Sequence, residues 1–230
     1  MSTIATNLQG VKARIARAAQ AAGRSAESVT LLAVSKTHSA ARIGEAVSAG
    51  QRAFGENYVQ EALEKMEALP SLEWHLIGPL QSNKTRPAAE RFAWVHTIDR
   101  EKIAKRLSEQ RPSALQPLNV LIQVNVSGEH TKSGVALEEV VPLARQIAGL
   151  PGIRLRGLMA VPEPTEDVAL QRSRFRAVRM EFEKLKKELP VDTLSMGMSD
   201  DMESAIAEGA TMVRIGTAIF GPRTRQKDAA

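Results

Sequence analysis

Three groups in this 230-residue sequence have the chemistry and the placement to hold a small molecule. Leu31-Leu32-Ala33-Val34-Ser35-Lys36 is an apolar run that ends on a lysine. A lysine there either snorkels its ammonium to water or sits partly desolvated, where a lowered pKa lets it form a Schiff base with a carbonyl. Arg214 lies between Val213 and Ile215, inside a second apolar run. A buried guanidinium needs a partner, which is either a carboxylate or a polar ring atom of a ligand. Ser195-Met196-Gly197-Met198-Ser199 and Gly216-Thr217 close two late runs. Gly216 lets the backbone approach an anion, and Ser199 and Thr217 add hydroxyl donors, although each also reads singly as a turn or cap residue. Asp200 and Asp201 would repel an anion unless they point away, and they also suit a helix N-terminus. A lysine for an aldehyde, an arginine for a pyridine nitrogen and a loop for a phosphate together match pyridoxal 5′-phosphate (PLP).

Bringing residues 36 and 214 to one place requires a fold that closes on itself. Eight short apolar segments recur: Thr30–Val34, Arg52–Gly55, Glu73–Gly78, Trp94–Ile98, Leu118–Val126, Leu155–Val161, Thr193–Met198 and Met212–Gly216. Several are continuous rather than alternating, as in parallel strands covered on both faces. Helical spacing separates most of them, as in Ile43 and Val47, Ala62 and Met66, Ile103 and Leu107, and Val140, Leu143 and Ile147. Phe175, Val178, Phe182 and Leu185 mark a longer charged helix that ends at Pro190. This alternation predicts an α/β fold, a (β/α)8 TIM-type barrel with an additional N-terminal helix, whose functional groups gather where strands end. A doubly wound sheet lacks its motifs, since no G-x-G-x-x-G, P-loop or G-x-S-x-G occurs. The whole of 1–230 is expected to form one domain, with the extra helix within 1–26 and a flexible tail over 222–230.

Composition removes other classes. There is no cysteine, hence no disulfide, thiolate metal site or cysteine nucleophile. No apolar run reaches the ~18 residues of a membrane helix. The formal charge of +5 resolves into +4 over residues 1–26 and +2 over Arg223–Asp228, leaving about −1 for the body. With eight aromatic residues and its positive charge at the ends, the chain is not expected to bind nucleic acid. Ile4, Leu8, Val11, Ile15, Ala18 and Ala22 form one stripe, which reads as a packed first helix. The acid-free, arginine-bearing start also imitates a transit peptide. A soluble cytoplasmic protein is expected, and the two N-x-S/T sequons at Asn83 and Asn125 are then coincidental.

The motifs themselves resemble a known family. Ala33-Val34-Ser35-Lys36-Thr37, Phe54-Gly55-Glu56-Asn57-Tyr58 and the run from Trp74 to Lys84 look like the PLP homeostasis protein family. So do Lys132-Ser133-Gly134, Arg156-Gly157-Leu158-Met159, Ser195 to Asp201, and Val213-Arg214-Ile215-Gly216-Thr217. The match runs in order from about residue 4 to residue 221, covering the basic first helix, which weakens the transit-peptide reading. The resemblance implies a PLP-binding barrel similar to the alanine racemase N-terminal domain, with Lys36 as the Schiff-base lysine. It further implies that Ser199, Gly216 and Thr217 hold the phosphate, Arg214 the ring nitrogen, and that Asn57 lines the ring.

Two functions compete. The resemblance implies a protein that holds PLP as a lysine aldimine within intracellular vitamin B6 homeostasis, without turnover. The alternative is a PLP-dependent amino-acid racemase or related enzyme. In the alanine racemase family the opposing base is a tyrosine from a further domain, whereas the one tyrosine here is Tyr58, within the second-strand motif. An arginine at the ring nitrogen also keeps its proton, which weakens the ring as an electron sink. PLP-dependent apo-enzymes are candidate recipients, and a monomer is expected. Lys132 is a second lysine near a strand exit, read as a solvated loop residue or an alternative amine. His38, His75, His96 and His130 show no paired metal-ligand spacing and are assigned packing or surface roles. Met159, Met196, Met198 and Met202 are read as fillers of irregular space around the barrel top.

Overall fold

Each of the eight apolar runs becomes a strand in the computed structural model, which describes residues 3–128 and 133–222. They are β1 (Thr30–Val34), β2 (Ala53–Glu56), β3 (Glu73–Leu76), β4 (Trp94–Ile98), β5 (Leu118–Val124), β6 (Ile153–Ala160), β7 (Thr193–Ser195) and β8 (Met212–Ile215). All pair in parallel and in sequence order, and β8 returns to β1 to close the barrel. The expected (β/α)8 architecture is therefore present. Register decides what meets at the C-terminal mouth. Ala33 lies opposite Ile215, and Val34 opposite Gly55. The exits of β1, β2 and β8 therefore share one rim, with Lys36, Asn57 and Gly216 on it.

β1 and β4 match the sequence reading at both ends, the other six strands differ by one to three residues at an end, and glycine explains the largest difference. β7 stops at Ser195 rather than Met198, because Gly197 takes φ +96°. A side chain there would be strained, and its Cβ would lie 2.6 Å from that of Ala205. Gly78, just past β3, has a different constraint: a Cβ would fall 2.1 Å from the carbonyl oxygen of Asn57. Its bare Cα lets the β2 and β3 loops touch, which brings Asn57 to the mouth.

Outside the barrel run α1 (Ile4–Ala21), α2 (Ala40–Ser48), α3 (Val59–Ala68), α4 (Thr85–Arg91), α5 (Glu101–Gln110), α6 (Val140–Ile147), α7 (Val168–Lys186), α8 (Met202–Ala207) and α9 (Thr217–Phe220). The apolar pattern did not mark α4, α8 and α9, which have seven, six and four residues, too few to display a helical period. Ser39 and Asp167 accept backbone N–H bonds at the starts of α2 and α7, the usual capping arrangement. α1 buries Ile4, Leu8, Val11, Ile15 and Ala19. Its stripe thus shifts from Ala18 to Ala19 in the last turn, and Ala22 falls just past the helix.

α1 and the turn after it are fixed to α9 and α8 by polar bonds as well as by that stripe. Asn7 Nδ2 donates to the Ile219 carbonyl (2.9 Å), and Arg24 to the Ile206 carbonyl (3.1 Å). The main core lies between strands and helices, with Phe54, Phe92, Phe175, Leu107 and Ile43 fully buried. Each such side chain contributes about 1.5–3 kcal/mol. Trp94, Leu121 and Met159 form a separate small cluster. His130, Lys132 and residues 223–230 of the expected tail lie outside the described residues.

Candidate functional site

Lys36 stands two residues beyond β1 in a tight turn and is half-buried. Its neighbours are held on both sides. The Ser35 amide donates to the Gly55 carbonyl (3.0 Å), and the Ser35 carbonyl accepts from Lys65 Nζ (2.9 Å). The Thr37 amide donates to Glu61 Oε1 (2.6 Å). Thr37 has φ +66°, the one positive value at a non-glycine residue among the described residues. For a β-branched residue that conformation is strained, and it persists because the surrounding bonds over-determine it. The direction in which Lys36 leaves the chain is thereby fixed.

The anchor behind this turn is an ionic cluster that sequence reading missed. Lys65, on α3, is buried and bridges Glu56 Oε1 and Glu61 Oε1, each at 2.7 Å. Ser35 Oγ donates to Glu56 Oε1 (2.6 Å), while Glu56 Oε2 is buried with no hydrogen-bond partner. Burial pushes the Glu56 carboxyl up, with Lys65 and Ser35 partly opposing it. In the sequence, Glu56 stood within the second-strand motif and nothing marked Lys65. Only the fold brings them together.

Arg214 is 4% exposed in β8. Its Nη1 donates to the Ser195 carbonyl (2.7 Å) and to Ser195 Oγ (2.8 Å), and Nη2 to the Ala160 carbonyl (2.8 Å). Among the described residues no carboxylate lies within ion-pair distance. Of the two partners left open by the sequence, the carboxylate is absent there. Burial pulls the guanidinium down to about 10, with Asp201 nearby opposing the shift.

Beyond β7 the loop turns on Asp201, whose Oδ1 accepts the Met198 amide (2.6 Å). Asp201 therefore points into its own loop, whereas exposed Asp200 lies on the cavity rim. The expected repulsion of an anion applies to Asp200 alone. At the start of α9, Ile219 and Phe220 donate to the Gly216 carbonyl (2.9 Å each). The preceding amides of Thr217 and Ala218 have no acceptor within that turn. Gly216 packs closely on Val34, where a Cβ would lie 3.1 Å from the Val34 carbonyl oxygen.

These pieces border one cavity of about 510 Å³ at the C-terminal mouth. Lys36, Asn57, Ser199, Arg214, Gly216 and Thr217, all six sequence candidates, line it. Val34, Ile77 and Val161 supply apolar walls. Arg14 also lines it, reaching from α1, with Nη2 donating to the Ser199 carbonyl (3.1 Å). The same guanidinium pairs with Glu203, through Nε to Oε1 at 2.9 Å and Nη2 to Oε2 at 3.1 Å. In the sequence Arg14 was one of four basic residues within 1–26, and only its placement distinguishes it. Lys36, Arg14 and Arg214 outnumber Asp200, so the cavity favours an anion. The donor set fits a phosphorylated aldehyde: an amine, a buried guanidinium, the first amides of α9 with hydroxyls, and apolar walls for a ring.

Two histidines assigned separate packing or surface roles are in fact bonded to each other. His75 and His96 are both buried inside the barrel, with His75 Nδ1 2.9 Å from His96 Nε2. Met159, Met196 and Met202 are buried, and Met198 lines the cavity.

Comparison with known proteins places this geometry. Residues 6–224 match the family model described as alanine racemase, N-terminal domain. A pyridoxal phosphate homeostasis protein from Pseudomonas aeruginosa is 61% identical over 225 residues, covering 97% of each chain. The solved structure of PipY from Synechococcus elongatus, with PLP bound, is 37% identical with a TM-score of 0.83, covering 95% of this chain and all of that one. Alanine racemase from Corynebacterium glutamicum, 20% identical with a TM-score of 0.71, shares the barrel fold over 97% of this chain and 62% of its own. The chain belongs to the pyridoxal phosphate homeostasis protein family, built on the alanine racemase N-terminal barrel.

Proposed function

We propose that this protein binds PLP in the 510 Å³ cavity and takes part in its intracellular storage and delivery, without turnover of its own. The observation that carries the reading is convergence: six residues from the β1, β2, β7 and β8 exits line one cavity. The PLP-bound state of PipY supports it. What PLP supplies when bound is an aldehyde electrophile on an aromatic ring. Lys36 Nζ provides the amine that captures the aldehyde, releasing one water in a reversible condensation. Arg214 donates toward the ring nitrogen, and Asn57, with Ile77 and Val161, borders the ring. Ser199, Gly216 and Thr217 hold the phosphate, and Arg14 adds positive charge beside them.

A reversible link plus a polar phosphate grip suits retention and release, with PLP-dependent apo-enzymes as the recipients and the protein acting as a cytoplasmic monomer. The racemase alternative needs a second base facing Lys36. Tyr58 is 62% exposed and does not border the cavity. The test is to add PLP to purified protein: a visible absorption band should develop, and Lys36→Ala should abolish it. Catalytic racemisation of alanine that disappears in Lys36→Ala would favour the enzyme instead.

A further inference from the structure

Five side chains form one hydrogen-bonded line through the barrel interior, from the cavity toward the opposite mouth. Arg214 Nη1 is 2.8 Å from Ser195 Oγ, which is 3.2 Å from His96 Nδ1. His96 Nε2 is 2.9 Å from His75 Nδ1, and His75 Nε2 is 2.9 Å from Glu73 Oε1. A guanidinium can only donate and an ionised carboxylate can only accept. With both rings neutral, the carboxylate end sets the order: Glu73 takes the His75 Nε2 proton, His75 Nδ1 accepts from His96 Nε2, and His96 Nδ1 accepts the Ser195 hydroxyl proton, which leaves Ser195 Oγ to accept from Arg214. Both imidazoles then carry their proton on Nε2. Burial, their largest influence, holds both rings below the ordinary histidine range.

The surroundings favour this ordered state. His75 stacks on Trp94 at 5.2 Å and 6°, and Arg156 lies 4.9 Å above the Trp94 ring. The charged groups facing the line are Asp201 beside Arg214 and Arg156 beside Glu73. Ser195, His75 and His96 are fully buried, whereas the Glu73 side chain is 51% exposed. Barrel interiors are usually layers of branched apolar residues. Fully satisfied polar networks fix one arrangement, and partly satisfied ones are costly.

We infer that Glu73, His75, His96 and Ser195 are positioning residues for Arg214, a one-way hydrogen-bond line that orients the guanidinium at the cavity and couples it to a carboxylate at the far mouth. This rests on the reading of Arg214 as the residue facing the PLP ring nitrogen. It adds a set of residues outside the cavity that tune the cavity.

The test has two arms on the full-length protein. The first uses no cofactor: ¹⁵N spectra of the imidazoles at pH 7, assigned with His75→Gln and His96→Gln. The line requires neutral Nε2–H forms at both rings, and Ser195→Ala should perturb His75 as well as His96. An Nδ1–H or doubly protonated ring at either position overturns it. The second arm loads PLP. Ser195→Ala should weaken its retention roughly tenfold, the size of one hydrogen bond to a charged group. Glu73→Gln keeps an acceptor but removes the charge. It should lower the pH at which the visible band titrates by about half a unit, in the range of network couplings. A purely structural role for a half-exposed residue would not move that band. If both variants take up PLP with the wild-type affinity and band, the positioning role is overturned while PLP binding stands. If the wild type takes up no PLP, the proposed function fails and the coupling to a bound ring fails with it. The imidazole spectra then decide the hydrogen-bond line alone.

Discussion

Lys65→Met removes the one cation that Glu56 touches among the described residues and leaves the rest of that carboxylate's surroundings in place. Glu56 is fully buried, its Oε2 is already unpartnered, and its Oε1 takes Lys65 at 2.7 Å and Ser35 at 2.6 Å. After the substitution one serine hydroxyl serves the whole carboxylate. Breaking a buried ion pair from one side costs about 3–5 kcal/mol. For a chain of this size each kcal/mol lowers Tm by about 2–4 °C, so a fall of roughly 6–20 °C is expected. Urea denaturation and thermal melts measure it.

Glu56 gives the loss a pH signature. Its folded pKa is raised by burial, so the folded state binds the proton more tightly than the unfolded state. Stability therefore falls as pH rises through the window between the ordinary carboxylate range and that elevated value. In Lys65→Met the window widens upward, so acidification should recover part of the loss. The double variant Lys65→Met/Glu56→Met should be more stable than Lys65→Met alone, because no orphan charge remains. A loss below about 1 kcal/mol, or a double variant carrying the sum of both single losses, refutes the argument.

Other outcomes follow from the same geometry. Gly78→Ala forces a Cβ to within 2.1 Å of the Asn57 carbonyl oxygen, so the unfolding free energy from denaturation should fall by at least the ~1–3 kcal/mol of an overpacked site. PLP retention should fall with it as Asn57 moves. Arg14→Ala breaks a partly exposed pair with Glu203, so its unfolding free energy should change by no more than ~1 kcal/mol, while the affinity for PLP falls several-fold. His75 and His96 have lowered folded values, so below the ordinary histidine range the unfolded state binds more protons. Stability should therefore fall on acidification from pH 7.5 to 5.5, by up to about 1.4 kcal/mol per pH unit for each ring. Urea titrations of His96→Gln should show a shallower slope.

The barrel was legible in the sequence because parallel strands covered on both faces leave continuous apolar runs. Lys36 and Arg214 stood out because each is a charge at or inside such a run. The Gly216-Thr217 and Ser199 positions were readable for the related reason that barrel ligands sit at late strand exits. Arg14, Lys65 and the His75–His96 pair were not readable, since their significance depends on register and helix docking across long sequence separations. A buried lysine on a helix has the same local sequence as a solvated one. Tautomer order along the interior line depends on four strands meeting, which no local pattern encodes. The short helices α4, α8 and α9 escaped because periodicity needs more than two turns to show.

The central claim is that Lys36 holds PLP in the cavity that it shares with Arg214 and Gly216. Borohydride reduction of PLP-loaded protein, followed by peptide mass spectrometry, tests this most directly. The account predicts a single reduced pyridoxyl phosphate adduct on Lys36, lost in Lys36→Ala. An unmodified Lys36 after loading, or an adduct of equal yield on another lysine, would contradict it.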